Sequence, residues 1–201
     1  LESAALTLLV PAGCIHDPPD RRGLSSFTCE MALRGAGSRD SRQIIEDLDN
    51  LGVEWSESVS DAHTRFSGAT VAAHLPQTLA IFADVLRRPH LPDEQLEAAR
   101  QVMLQELRAV EDEPAEKVML ELRRRHYPDP WGRPPQGERE ALEAIAAHEI
   151  RRHFAAHYRP NGTILGVAGR FDWARLKTLV EELLSDWEPG NHEVPAPRPK
   201  A

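Results

Sequence analysis

Gly23-Leu24-Ser25-Ser26-Phe27-Thr28-Cys29-Glu30-Met31-Ala32-Leu33-Arg34-Gly35 is the stretch on which the reading of this chain turns. Leu24, Phe27 and Met31 recur at helical spacing, so residues 23–33 are predicted to form a helix with these three on one face. Ser26, Cys29, Glu30 and Leu33 fall on the opposite side of the helical wheel. Upstream, the apolar run 4–10 predicts a first strand, and 11–22 is a turn-rich connection centred on Asp17-Pro18-Pro19-Asp20. Downstream, Ser41 is the expected cap of a helix over 42–51, closed by Gly52.

The rest of the chain alternates in kind. Residues 53–60 are polar and alternate poorly, as in a strand with an exposed edge, whereas 64–73 reads as a better buried strand. A helix opens at Leu75-Pro76 and runs to 86. The longest helical pattern starts at Asp93 and carries Leu96, Ala99, Met103, Leu107 and Val110 in one stripe. Pro114 interrupts and restarts it, because a residue without an N–H suits a first turn and not a helix interior. A Pro-rich loop covers 127–135, a helix 146–157, a strand 163–168 and a last helix 173–184. Strands divided by helices without regular βαβ repeats predict an α+β fold, with helices on one face of a mostly antiparallel sheet. One domain is expected over 1–188, followed by a Pro-rich linker over 189–201.

Composition narrows the function. The chain has 201 residues, 41% hydrophobic and 28% charged, with a formal net charge of -8. That balance is ordinary for a globular domain and excludes a phosphate-tracking surface, so no nucleic-acid partner is expected. No apolar run reaches membrane-span length and none reads as a signal peptide, so a soluble, cytoplasmic protein is the expectation. Cys14 and Cys29 are too few for a disulfide framework and are read as free thiols.

The order of these elements, and the words inside them, resemble the pitrilysin, insulinase and mitochondrial-processing-peptidase family of metallopeptidases. Its zinc helix reads G-L-A-H-F-L-E-H-M-x-F-x-G, the inverted H-x-x-E-H motif. The quoted stretch matches that frame without a gap, yet Ser26 stands at the first histidine, Cys29 at the glutamate and Glu30 at the second histidine. Leu51-Gly52-Val53-Glu54-Trp55-Ser56-Glu57-Ser58-Val59-Ser60-Asp61-Ala62-His63-Thr64 resembles the family's next strand pair. Val102-Met103-Leu104-Gln105-Glu106-Leu107 with Asp112-Glu113-Pro114 resembles the phrase that carries the third zinc ligand, which places Glu106 there. Tyr127-Pro128, Trp131-Gly132-Arg133-Pro134 and Tyr158-Arg159-Pro160-Asn161 match further family words. The resemblance covers one half of a typical member, so a second homologous half or an active peptidase subunit is the implied partner.

Zinc is the family's cofactor, and a catalytic site needs three good protein ligands with an open position for water. A serine hydroxyl does not replace an imidazole, and a thiol at position 29 lacks the carboxylate that takes the proton from zinc-bound water. Ser26, Glu30 and Glu106 are therefore the family-equivalent metal positions, with no metal expected at them and no catalytic residue assigned. The implied function is a non-catalytic homologue that forms part of a peptide-binding chamber, with Ser56, Glu57, Ser58 and His63 as candidate peptide contacts. Two rivals stand beside it. One is a working zinc endopeptidase with an atypical set such as Cys29, Glu30 and Glu106; the other is a purely structural homologue. If Glu30 and Glu106 share a pocket without a metal, a substitute cation is expected, either Arg34 or Arg65.

Three further patterns have plain readings. In His148-Glu149-Ile150-Arg151-Arg152-His153 the histidines are spaced to point to different sides of a helix. His153 and His157 have the spacing of a metal pair but lack an evident third ligand, and are read as surface histidines. A Cys29–His63 nucleophile pair would need a specific electropositive setting and is not the reading adopted; His63 is read first as a structural histidine on the strand.

Overall fold

The computed structural model describes residues 2–190. The linker expected over 189–201 falls almost wholly outside the described residues. Strand β1 (Ser3–Val10) is followed by a one-turn 3-10 segment at Cys14–His16 and by helix α1 (Leu24–Ala32). Two-residue strands β2 (Gly35–Ala36) and β3 (Arg39–Asp40) form a small ladder before α2 (Ser41–Asn50). The hairpin of β4 (Glu54–Val59) and β5 (Thr64–Val71) leads to α3 (Leu75–Arg87), α4 (Leu96–Asp112) and α5 (Pro114–His126). Helices α6 (Arg139–Ala144) and α7 (Ala147–His157), strand β6 (Ile164–Gly169) and α8 (Trp173–Leu184) complete the order.

The main sheet is wholly antiparallel, in the order β4-β5-β1-β6. Alternation decides its two faces. Ala4, Leu6, Leu8 and Val10 of β1 are buried together with Thr64, Phe66, Gly68 and Thr70 of β5, and helices cover this side. Ser3, Ala5, Arg65, Ala69 and Val71 lie on the other face and are exposed. The α+β architecture expected from the sequence is therefore present. Phe82 of α3 packs on Phe66, and a Cβ on Gly68 would press against both Phe82 and Val53. β4 is an edge strand, paired with β5 alone.

Local chemistry explains the boundaries. α2 begins one residue earlier than expected, because Asp40 is the cap: its side chain accepts from the Gln43 N–H at 2.8 Å while Gln43 Oε1 accepts from the Asp40 N–H. That reciprocal pair satisfies two donors at the helix start, so Ser41 becomes the first helical residue instead of the cap. Pro114 occupies the first turn of α5, as its missing N–H dictates. Helix α6 has no counterpart in the sequence reading; six residues are too short to display an apolar period.

Candidate functional site

The start of α1 is held from outside the helix. Asp17 Oδ2 accepts from the Gly23 N–H and Asp17 Oδ1 from the Ser25 N–H, both at 2.8 Å, and Ser25 Oγ donates to Asp17 Oδ1 at 2.6 Å. A carboxylate there satisfies orphan amides and faces the positive end of the helix dipole. Gly23 itself sits at φ 98°, and a side chain on it would strike Leu142 and the Gly137 backbone. Burial pushes the Asp17 carboxyl up to about 6 against the pull of these hydrogen bonds.

The three altered motif positions have different fates. Ser26 is partly buried and donates to the Pro135 carbonyl at 2.7 Å. Glu30 is partly buried at the end of the helix. Its Oε1 accepts two bonds from Arg34, from Nε at 3.0 Å and Nη2 at 2.6 Å, while Arg34 Nη1 donates to Gln95 at 3.2 Å. Cys29 is not on an open face: it is 3% exposed and belongs to the core with Phe27 and Met31. The correction has a simple cause. α1 packs against α7, α4 and β4, so nearly its whole circumference is covered and a wheel diagram overstates its polar side. The buried Tyr158 hydroxyl faces the Cys29 thiol and Thr64 without closing a well-formed bond to either. Burial, then the charges of Glu57 and Glu30, drive the thiol well above the ordinary cysteine range.

Glu106 lies on α4 within electrostatic reach of Glu30 and Glu57. Burial on one side, then Glu30 and Glu57, raises the Glu106 carboxyl; burial, and more weakly Glu30, raises that of Glu57. The three carboxylates thus feel one another's charge, with Glu57 and Glu106 exposed and Arg34 as the cation against Glu30. Arg65, the other expected cation, is exposed on the opposite face of the sheet beside Ser58. The register also divides the candidate peptide contacts. Glu57 pairs with Phe66 on the helix-covered side, whereas Ser56 and Ser58 pair with Ser67 and Arg65 on the outer side. His63 is not on a strand: Ser60 N donates to His63 O at 2.8 Å, and the two residues close the turn between β4 and β5.

These donors do not fit the zinc ion that the resemblance implies. Ser26 spends its proton on Pro135, the Cys29 thiol points into the core and is held protonated, and Glu30 is engaged by a guanidinium that repels a dication. Among the described residues no three His, Cys, Asp or Glu side chains converge on a metal-sized site.

The histidines differ from expectation too. His153 is 4% exposed, not a surface residue; its Nε2 is 3.3 Å from Ser25 Oγ, and its ring lies 4.5 Å from that of His157, which stacks on His16 at the same distance. Burial, then His157 and His16, holds His153 well below the ordinary histidine range. Glu149 of the His148–His153 word is committed elsewhere, accepting from Arg21 Nε and the Ala146 N–H at 2.9 Å each. Asp17 went unassigned in the sequence because its bonds to Gly23 and Ser25 depend on how the intervening turn folds back on the helix start, and Tyr158 because its neighbours Cys29 and Thr64 lie far away in the chain; the Tyr158-Arg159-Pro160-Asn161 word was the one available signal for Tyr158.

Comparison with known proteins follows this geometry. The family model for insulinase, peptidase family M16, matches residues 2–133, and that for the peptidase M16 inactive domain matches residues 144–201. A protein named an uncharacterized zinc protease from Rickettsia bellii is 25% identical over 94% of this chain and 46% of its own length. A protease from Helicobacter pylori superposes with a TM-score of 0.87 at 18% identity, over 98% of this chain and 49% of that one. A peptidase M16 inactive domain from Pseudomonas fluorescens gives 0.85 at 20% identity, over 100% and 50%. At such identities the two superpositions speak to the fold alone. The chain spans about half the length of the curated relatives it matches.

Proposed function

Because the chain belongs to the insulinase family of peptidases, peptidase family M16, we propose that it is a non-catalytic half of a peptide-enclosing assembly, one wall of a chamber completed by a second homologous half or an active subunit. Residues 1–188 supply that half and 189–201 the linker. The observation that carries the reading is the Arg34–Glu30 pair, with bonds of 2.6 and 3.0 Å at the position of a lost zinc ligand. A fixed cation balances a carboxylate where the zinc proteases of the family need metal and water, and no carboxylate stands where the water's proton would go. The chamber role is supported by β4, an edge strand whose free backbone groups suit the addition of an extended peptide. Glu57, exposed, stands on the helix-covered side of that strand.

No described helix is long and apolar enough to cross a membrane. The test uses the full-length protein with its homologous partner half. Elemental analysis after dialysis against trace zinc is expected to find no metal at this half, and mutation of Glu106→Gln to leave peptide cleavage unchanged. One zinc per chain, lost together with cleavage in that variant, would overturn the proposal. Failure to bind any labelled peptide would leave a structural role in its place.

A further inference from the structure

Helix α5 is the least supported element of the domain. None of its side chains is buried, and Val118, Met119 and Leu122 are 65%, 63% and 57% exposed. Its main packing partner is α4. A thirteen-residue helix is marginal in water without an apolar face to bury, and three large apolar side chains within about one turn form a patch that lone domains avoid.

The helix stands as a ridge between two grooves. The first, of about 980 Å³, is bounded by Met119, Leu122, Tyr127 and Trp131; the second, of about 750 Å³, by Val110, Val118, Leu122 and Arg124. Two polar atoms around the first groove, Trp131 Nε1 and Gln136 Oε1, are buried without a hydrogen-bond partner, beside an Arg123–Asp61 ion pair. Buried donors and acceptors are seldom left unpaired in a finished structure. α5 also runs against the charge of the chain, with Lys117, Arg123, Arg124 and Arg125 against Glu116 and Glu121 in a protein of net charge -8; Arg123 pairs with Asp61 and Arg125 with Glu121, so Lys117 and the exposed Arg124 carry the excess toward a partner.

We infer that α5 is the docking ridge for the second homologous half, which covers Val118, Met119 and Leu122 with an apolar surface ringed by carboxylates. This rests on the reading of the chain as one of two halves. Three observations select that occupant. The curated relatives are about twice as long as this chain, so a partner of matching size is available in the family. A convex ridge with a groove on each side is the shape that helices of a folded partner pack against, side chains entering both grooves. The excess of guanidinium and ammonium groups on α5 favours a carboxylate-bearing surface.

The test places a photoreactive benzoylphenylalanine at Met119 in the full-length protein together with its homologous half. Cross-links are expected to map to one patch of that half, and Leu122→Asp to reduce their yield roughly tenfold, as for a central apolar anchor. Circular dichroism of the Leu122→Asp protein separates lost docking from lost folding; Arg124→Glu, a surface change, is expected to reduce the yield in the same direction. Cross-links confined to an added peptide, or none at all with rapid amide exchange over 114–126, would overturn the inference. Either result is independent of zinc content and cleavage, so the proposed function can fail while the docking ridge stands.

Discussion

Arg34 bonds to Glu30 through one carboxylate oxygen, Oε1, using both Nε and Nη2, one helical turn away. The pair is 16% and 23% exposed, between a surface ion pair and a buried one. Burial first, and then the charge of Glu30, raises the carboxyl pKa values of Glu57 and Glu106 nearby.

Replacing Arg34→Gln is therefore expected to cost about 1–2 kcal/mol at pH 7. Without the guanidinium the negative charge beside Glu57 and Glu106 is no longer offset, so their folded-state pKa values rise further above the unfolded ones. The penalty is then largest above the folded pKa values and shrinks as pH falls toward about 4.3, the ordinary glutamate value. Urea unfolding at pH 7 and pH 4.5 measures it. An equal deficit at both pH values would assign the loss to packing and not to charge.

Restoring the metal motif is expected to need more than the motif. Ser26→His with Glu30→His puts two imidazoles on α1 but leaves Arg34 beside them, so zinc affinity should rise clearly only when Arg34→Leu is added. Cys29→Glu forces a carboxylate into the core beside Tyr158, at a cost of about 3 kcal/mol or more. Titration calorimetry with zinc and thermal unfolding of the combined variants decide this. Tight zinc binding by the Ser26→His, Glu30→His protein with Arg34 intact would contradict the account.

His153 predicts a pH dependence of opposite sign to that of Glu57 and Glu106. Its folded-state pKa is depressed, so the unfolded chain binds the proton more readily. Stability from this group is complete above about 6.5 and is lost as pH falls below that, by at most about 1.4 kcal/mol per pH unit. The groups that face it are His157 on its own helix, His16, and Ser25 with Asp17 behind it. His153→Gln should flatten the difference between unfolding at pH 7.5 and pH 5.5; parallel profiles for the two proteins would refute the assignment.

Both thiols should be inert in the folded protein. Cys14 and Cys29 are buried, and burial followed by Asp17 pushes Cys14 up to about 12. Thiolate is the reactive form, so a disulfide reagent at pH 8 is expected to titrate neither thiol until denaturant is added, and both afterwards. Rapid labelling of the native protein would show that α1 opens easily.

Where a pattern was local, the sequence was legible. The alternation of Ala4, Leu6, Leu8 and Val10, and the stripe through Ala99 and Met103, each report one element meeting one core, and these residues are buried. Cys29 and His153 were misplaced because their burial depends on several elements at once. Ser25 meets His153, and Ser26 meets Pro135, across more than half the chain. No helical wheel contains that information. His63 was misassigned for a smaller reason: the hairpin turn takes up Ser60 to His63, and a turn four residues long resembles a strand end in the sequence.

The clamps on α1 also have a thermodynamic consequence. Asp17 fixes the start of the helix, and Arg34 ties its end to Gln95 ahead of α4. Both fasteners are parts of the polypeptide, present at unit occupancy in every folded molecule. A bound ion, by contrast, stabilises a fold by an amount that follows its free concentration. Clamps of this kind carry no such mass-action dependence, so on the proposed reading the melting temperature should be the same in a chelating buffer as in a metal-replete one.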